Sequence, residues 1–229
     1  IEVPAATSVE ECWQLVDVAE QTQRHCMMLE NCCYDFFELT CLNMAQQGLF
    51  GEVIHAQGAY IHNLEPFWAH YQGNWRLDFN QKHAGDVYAT HGLGPVCQVL
   101  DIHRGDKMDY LVSMSTPSVN GLKIANETMG SENFANGDMT STLIKTNKGK
   151  TILIQHNVYT PRPYDRLYQL TGTEGFANKY PIEQYCFQPE NIDANLIPNH
   201  EDLNVHRAVS DEIKVKLMIY YISNQIFDQ

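Results

Sequence analysis

The chain has 229 residues, 44% hydrophobic and 19% charged, with 28 Asp and Glu against 15 Lys and Arg for a formal net charge of −13. That length suits one large domain or parts of two, and the balance suits a folded soluble protein and excludes a disordered one. It argues against nucleic-acid binding, because a phosphate backbone wants a basic face and the cations here are few and scattered; nor does any apolar run approach the ~20 residues of a membrane span.

Thr7 with Glu10, or Ser8 with Glu11, makes a capping box, and apolar Trp13, Val16 and Val18-Ala19 follow in helical rhythm. Cys26-Met27-Met28-Leu29 reads as a short buried strand ending at Glu30-Asn31. A second helix is expected from about Asp35 to Gln47, stopping at Gly48, and Gly51–Tyr60 alternates as a strand. Asn63–Ala84 is polar and aromatic without a clear period and is expected to be a long loop. Val87–Arg104 reads as a helix with Val96, Val99 and Leu100 on its buried side. Strand patterns follow at Tyr110–Ser115, Thr140–Thr146, Thr151–His156 and Leu167–Thr171, with turn signals at Asn147-Lys148-Gly149 and Gly172–Gly175. A last helix is expected over Asp211–Tyr221. The order predicts an α/β (α+β) chain: the end of a Rossmann-like domain in residues 1–33, then an open mixed or antiparallel sheet with flanking helices over 34–229. Seven cysteines, an odd number with no CxxC pair, read as reduced thiols in a packed interior.

Several residues could carry chemistry. Glu30 and Asn31 stand where the expected strand ends, a place where α/β sheets bind ligands, although a helix cap would use the same residue types. Tyr60 and His62 share one face at the next strand's end. Tyr88 and His91, three apart, face the same way on a helix, and Gly92 and Gly94 beyond them admit backbone or ligand. Two glycines and Pro95 weaken that helix without local gain, which marks a candidate functional site; tight packing of helix on sheet is the alternative. His156 ends a strand, Arg162 follows between two prolines with Tyr164 just after them, and Trp75-Arg76 could stack on and hydrogen-bond a sugar. The histidines at 25, 55, 70, 83, 103, 200 and 206 show no metal-ligand spacing, so no metal is expected.

Together MMLENCCYD (27–35), GLFGEVIHAQGAYIH (48–62), NWR (74–76), GDVYATHGLGPV (85–96), DIHRGD (101–106) and ILIQHNVYTPRPY (152–164) resemble glycoside hydrolase family 109. That family, with its NAD-dependent α-N-acetylgalactosaminidases, belongs to the glucose-fructose oxidoreductase and inositol dehydrogenase superfamily. The resemblance implies a cofactor, NAD, and an N-acetylgalactosamine-type glycoside as substrate, cleaved by transient oxidation at C3, elimination, water addition and re-reduction. It implies Tyr60, Tyr88 and His91 as catalytic residues and Glu30, His62, Arg76, His156 and Tyr164 as sugar contacts. Glu2, Pro4, Glu30 and Asn31 would face the cofactor. Val3 stands where related dehydrogenases carry a proton-transferring Lys, which favours the hydrolase over a sugar or inositol oxidoreductase; a non-catalytic sugar-binding piece is the third reading. The GxGxxG fingerprint expected upstream is not in the chain, so a fragment with weak or no NAD binding and no turnover of its own is expected. A homo-oligomer through the open sheet is a further expectation, and the compartment stays open between bacterial cytoplasm and periplasm.

Overall fold

A computed structural model describes residues 1–71 and 75–187; the helix expected over Asp211–Tyr221 lies outside them, as does Asn74. A seven-stranded sheet organises the chain, in spatial order β2 (Met108–Ser115), β3 (Thr140–Thr146), β4 (Thr151–Asn157), β1 (Val53–Ile61), β5 (Tyr168–Gly172), β6 (Gly175–Asn178) and β7 (Gln184–Phe187). β1 and β4 run parallel and the other pairs are antiparallel, so the sheet is mixed, as the run of strands implied. The parallel pair puts Tyr60 of β1 directly beside His156 of β4.

Among the described residues five α-helices accompany the sheet: α1 (Val9–Thr22), α2 (Phe36–Gln46), α3 (Trp75–Lys82), α4 (Thr90–Val99) and α5 (Asn120–Met129). The central strands carry Ala56, Ile152, Ile154 and Leu170 into a core shared with Phe37, Cys41 and Met44 of α2 and Val96 of α4. Each fully buried Ile, Leu, Val, Met or Phe among them contributes roughly 1.5–3 kcal/mol. A second cluster, Leu64, Trp68, Leu77, Ile124, Val158 and Tyr159, lies beneath α3 and α5.

The glycines of α4 answer the conflict seen in the sequence. A Cβ on Gly58 would run into the Gly92 carbonyl oxygen, and one on Gly92 would stand 2.7 Å from the Ala59 nitrogen. Helix and strand therefore touch backbone to backbone, which only glycine permits. At Gly94 a Cβ would meet Glu30 Cγ at 2.8 Å and Cys33 Sγ at 3.1 Å. The missing side chains admit β1 and the Glu30 turn.

Four expectations need correction. Cys26–Leu29 forms no strand: Met27 and Leu29 are 61% and 56% exposed, because no described strand lies beside them to accept a ladder. The span 63–84 holds a 3₁₀ helix (Glu65–Tyr71) and α3. The helix expected over Val87–Arg104 covers only Thr90–Val99, and Tyr88 sits in the turn before it. The thiols are all free, but Cys12 and Cys26 are exposed. Elsewhere the start of α1 follows the Ser8 alternative, Ser8 Oγ accepting from the Glu11 N–H at 3.1 Å while Glu11 reaches back to the Thr7 N–H at 2.6 Å. Among the described residues no helix is long and apolar enough to cross a membrane.

Candidate active site

Three elements bring the chemistry together. β1 delivers Tyr60 at its C-terminal end, and the two-residue period sets the Tyr60 hydroxyl 3.2 Å from His62 Nδ1. The turn entering α4 supplies Tyr88, and the helix's first turn supplies His91. Their ring centroids are 4.7 Å apart, and each ring lies against Tyr60, at 5.2 and 5.1 Å. The close approach of Gly92 to β1 sets this spacing, since a bulkier contact would lift His91 away from Tyr60.

Glu30 completes the group. It caps a 3₁₀ turn, Asn31–Tyr34, and its Oε1 accepts from the Cys32 N–H at 3.1 Å. The same oxygen lies 2.6 Å from His91 Nδ1. Burial pushes the Glu30 carboxyl up, but the hydrogen bonds from His91 and Cys32 and the His91 charge together hold it below its ordinary value. A carboxylate on Nδ1 fixes the proton there and leaves Nε2 as the basic nitrogen. Glu30 Oε2 is buried with no hydrogen-bond partner.

On the other side, Arg76 of α3 donates to the Tyr88 hydroxyl at 3.2 Å and to Glu2 Oε1 at 3.4 Å, and its guanidinium lies 5.0 Å over the Tyr88 ring. Tyr88 donates to the Val3 carbonyl at 3.3 Å. Burial raises the Tyr88 phenol, and the Arg76 charge offsets part of that rise. Tyr164 stands edge-on to His62 at 5.0 Å and is 46% exposed, opening the cluster to solvent. Burial lowers His62. His156 stacks beside Tyr60 at 6.2 Å and is buried, which pushes its imidazole down to about 4 and keeps it neutral. Asn31 and Glu2 are exposed and Pro4 is partly buried at the cluster's margin. A cavity of about 20 Å³, lined by Tyr60, Arg76, Asn80, Tyr88 and His156, has room for a water but not a sugar.

Glu30, Tyr60, His62, Arg76, Tyr88, His91, His156 and Tyr164 thus converge, including pairs more than sixty positions apart, whereas Arg162 reaches Met139 Sδ at 3.9 Å instead. Others had no local signal. Arg166 reaches Cys32 Sγ at 2.8 Å and Asp35 Oδ2 at 2.6 Å, across 134 and 131 residues. Lys179 joins Asp35 at 3.0 Å and Glu38 at 2.7 Å, pinning the start of α2 beneath the Glu30 turn. Asp86, two residues before Tyr88, accepts from the Tyr88 N–H at 3.2 Å, and burial raises its carboxyl to about 6.

Residues 34–194 match the family model described as "Glycosyl hydrolase 109, C-terminal domain". The chain belongs to glycosyl hydrolase family 109. Similar relatives include "Glycosyl hydrolase family 109 protein 1" of Bacteroides fragilis strain YCH46, 63% identical over 96% of this chain and 48% of that protein. The family 109 protein of Porphyromonas gingivalis W83 is 60% identical, again over 96% and 48%. The chain therefore spans about half the length of the curated relatives it matches. Among solved structures, an inositol dehydrogenase homolog from Azotobacter vinelandii complexed with NAD+ superposes with a TM-score of 0.61 at 15% identity, covering 96% of this chain and 58% of that one. An NAD-binding oxidoreductase from Klebsiella pneumoniae gives 0.62 at 15% identity, over 85% and 50%. At such identities the likeness establishes the fold alone, a mixed α/β architecture shared with those two proteins.

Proposed function

We propose that this family 109 chain forms the substrate half of an NAD-dependent α-N-acetylgalactosaminidase, with residues 1–33 belonging to its cofactor domain. The observation that carries the reading is the packing of the Tyr60, Tyr88 and His91 rings within about 5 Å of one another, with Glu30 on the far nitrogen of His91. Three proton-handling groups around one point suit a sugar alcohol that must lose and regain a proton. Neighbouring Tyr164 and Arg76 offer the stacking face and the donor that a saccharide needs.

Bound NAD would supply the hydride acceptor and return the hydride at the end of the cycle. The residues present fit the edge of such a site. The orphaned, buried Glu30 Oε2 beside exposed Asn31 is an acceptor in want of a donor such as a ribose hydroxyl, and Glu2 and Pro4 line the same margin. In this scheme His91 takes the C3 hydroxyl proton on Nε2, and Glu30 steadies the imidazolium that results. Tyr60, relayed through His62, moves the C2 proton. Tyr88, tied to Arg76 and the Val3 carbonyl, orients the sugar hydroxyl. Tyr164 and His62 face the sugar ring, and His156 supports Tyr60 from its buried neighbour position. A second copy would pair along the exposed apolar face of β2 and β3 (Val112, Met114, Leu143), which gel filtration reads directly.

The test joins this sequence to the N-terminal half of its B. fragilis relative and supplies NAD+. Release of p-nitrophenol from p-nitrophenyl α-N-acetylgalactosaminide without net NADH is expected, with loss in Tyr60→Phe and His91→Ala. Steady NADH formation from a free sugar would make the chain part of a dehydrogenase instead. Sugar binding without turnover, untouched by either substitution, would leave a binding module.

A further inference from the structure

We propose that the Glu30 carboxylate, the Cys32 thiolate and the His91 imidazole form a binding site for a thiophilic divalent ion such as Zn²⁺. One ligand atom from each side chain lies within 4.8 Å of the other two. Oxygen, sulfur and nitrogen donors in a three-residue set match zinc's preferences, and three protein ligands leave the fourth tetrahedral position to water.

The backbone holds the donors in place without any ion. Glu30 and Cys32 share one 3₁₀ turn, joined by the Cys32 N–H on Glu30 Oε1. His91 is carried by α4, whose Gly92 is locked against β1. The Glu30 and His91 side chains are only 6% and 12% exposed, so the pocket is largely desolvated. A second sign is Glu30 Oε2, a buried carboxylate oxygen with no hydrogen-bond partner, for which an ion would compete with the cofactor hydroxyl proposed above. Leaving a charged acceptor unsatisfied in the interior is costly, and a cation there removes the cost.

Two local interactions must yield. His91 Nδ1 and Glu30 Oε1 sit 2.6 Å apart as a hydrogen bond, and ligation at zinc's bond lengths of about 2.0–2.1 Å spreads them to about 3.3 Å. Arg166 Nη1 sits 2.8 Å from Cys32 Sγ and must leave the sulfur; it keeps its partner Asp35 Oδ2 at 2.6 Å. The protons balance. Cys32 gives up its thiol proton to solvent, and the imidazole stays neutral as its proton passes from Nδ1 to Nε2. The site stands without the glycosidase reading, although an ion here would occupy both Glu30 and His91.

The probe is Co²⁺, added to the 229-residue chain carrying Cys12→Ser and Cys26→Ser, which removes the exposed thiols. One equivalent should bind, with the near-ultraviolet thiolate-to-cobalt band and the visible spectrum of a four-coordinate site. Adding Cys32→Ser should abolish the thiolate band and weaken binding at least tenfold, and His91→Ala should weaken it similarly. Arg166→Gln, which frees the sulfur from its cation, should tighten binding severalfold, a change that mere structural damage would not produce. X-ray absorption of the Zn²⁺-loaded protein needs no further substitution and should find a single sulfur at about 2.3 Å with lighter ligands near 2.0 Å. A first shell without sulfur, or a thiolate band that survives Cys32→Ser, overturns the proposal.

Discussion

Helices α1 and α4 carry comparable apolar patterns and end in opposite situations. α4 buries Gly92, Pro95, Val96 and Val99, whereas no residue of α1 is buried. Trp13 at 64%, Val18 at 55% and Val9 at 74% exposure stay in solvent, alongside exposed Met27 and Leu29. Periodicity therefore marks a face that needs a partner without naming the partner. α4 has one in β1, reached through glycine; nothing described in this chain covers α1. An exposed apolar surface of that kind marks a place where something else packs.

The sharpest way to break the contrast is to add a side chain where α4 meets β1. Gly58→Val or Gly92→Val forces two backbones apart and should cost roughly 3 kcal/mol or more, or prevent folding. Urea unfolding measures it. An undiminished midpoint would mean that the helix and strand can part freely, and the spacing of Tyr60 and His91 would lose its stated cause.

Burial on the α4 side also displaces titrations that solvent would keep ordinary. His156 is held neutral down to about 4 against 6.5 for a free imidazole, so the unfolded chain binds that proton first. Stability should fall as pH drops from about 6.5 to 4, by roughly 3 kcal/mol over the window, and His156→Leu should flatten that limb. Asp86 has the opposite sign. Its carboxyl is raised from 3.8 to about 6, so the folded state keeps its proton longer, and that contribution, full below 3.8, is lost as pH rises through 6. Asp86→Asn retains an oxygen for the Tyr88 N–H and should stabilise the protein by about 1–2 kcal/mol at pH 7, with no gain near pH 4. Chemical denaturation at the two pH values separates the residues.

What could be read from sequence was what lies close along the chain. The two-residue period of β1 placed Tyr60 with His62, and the three-residue spacing placed Tyr88 with His91 even though the helix begins only at Thr90. α3 and α5 escaped because their signals lie far away. Asn80 of α3 accepts from the Tyr159 hydroxyl at 2.6 Å, and the N-terminus of α5 is capped by Asp138 through the N–H groups of Val119, Asn120 and Gly121. β6 and β7 are four residues each, too short for a period to emerge. The Arg166–Cys32 contact spans 134 residues with no local trace at either end. The error at Cys26–Leu29 has a different source: the segment is apolar enough for a buried strand, and hydrophobicity alone does not supply the neighbour that a ladder requires.

The smallest effect is the one that tests α1. A Trp13→Ser, Val16→Ser pair removes apolar surface that already faces water, so folding loses almost no buried area and stability should move by less than about 0.5 kcal/mol. Association should respond instead, because the same side chains present a hydrophobic patch to neighbouring molecules. Light scattering of the double variant should therefore show less aggregation at an unchanged urea midpoint. A loss of several kcal/mol would mean that α1 packs against this chain in solution, and the contrast with α4 would disappear. An unchanged midpoint with unchanged scattering would move the sticky surface to the exposed strands β2 and β3, where Val112, Met114 and Leu143 offer the next apolar face.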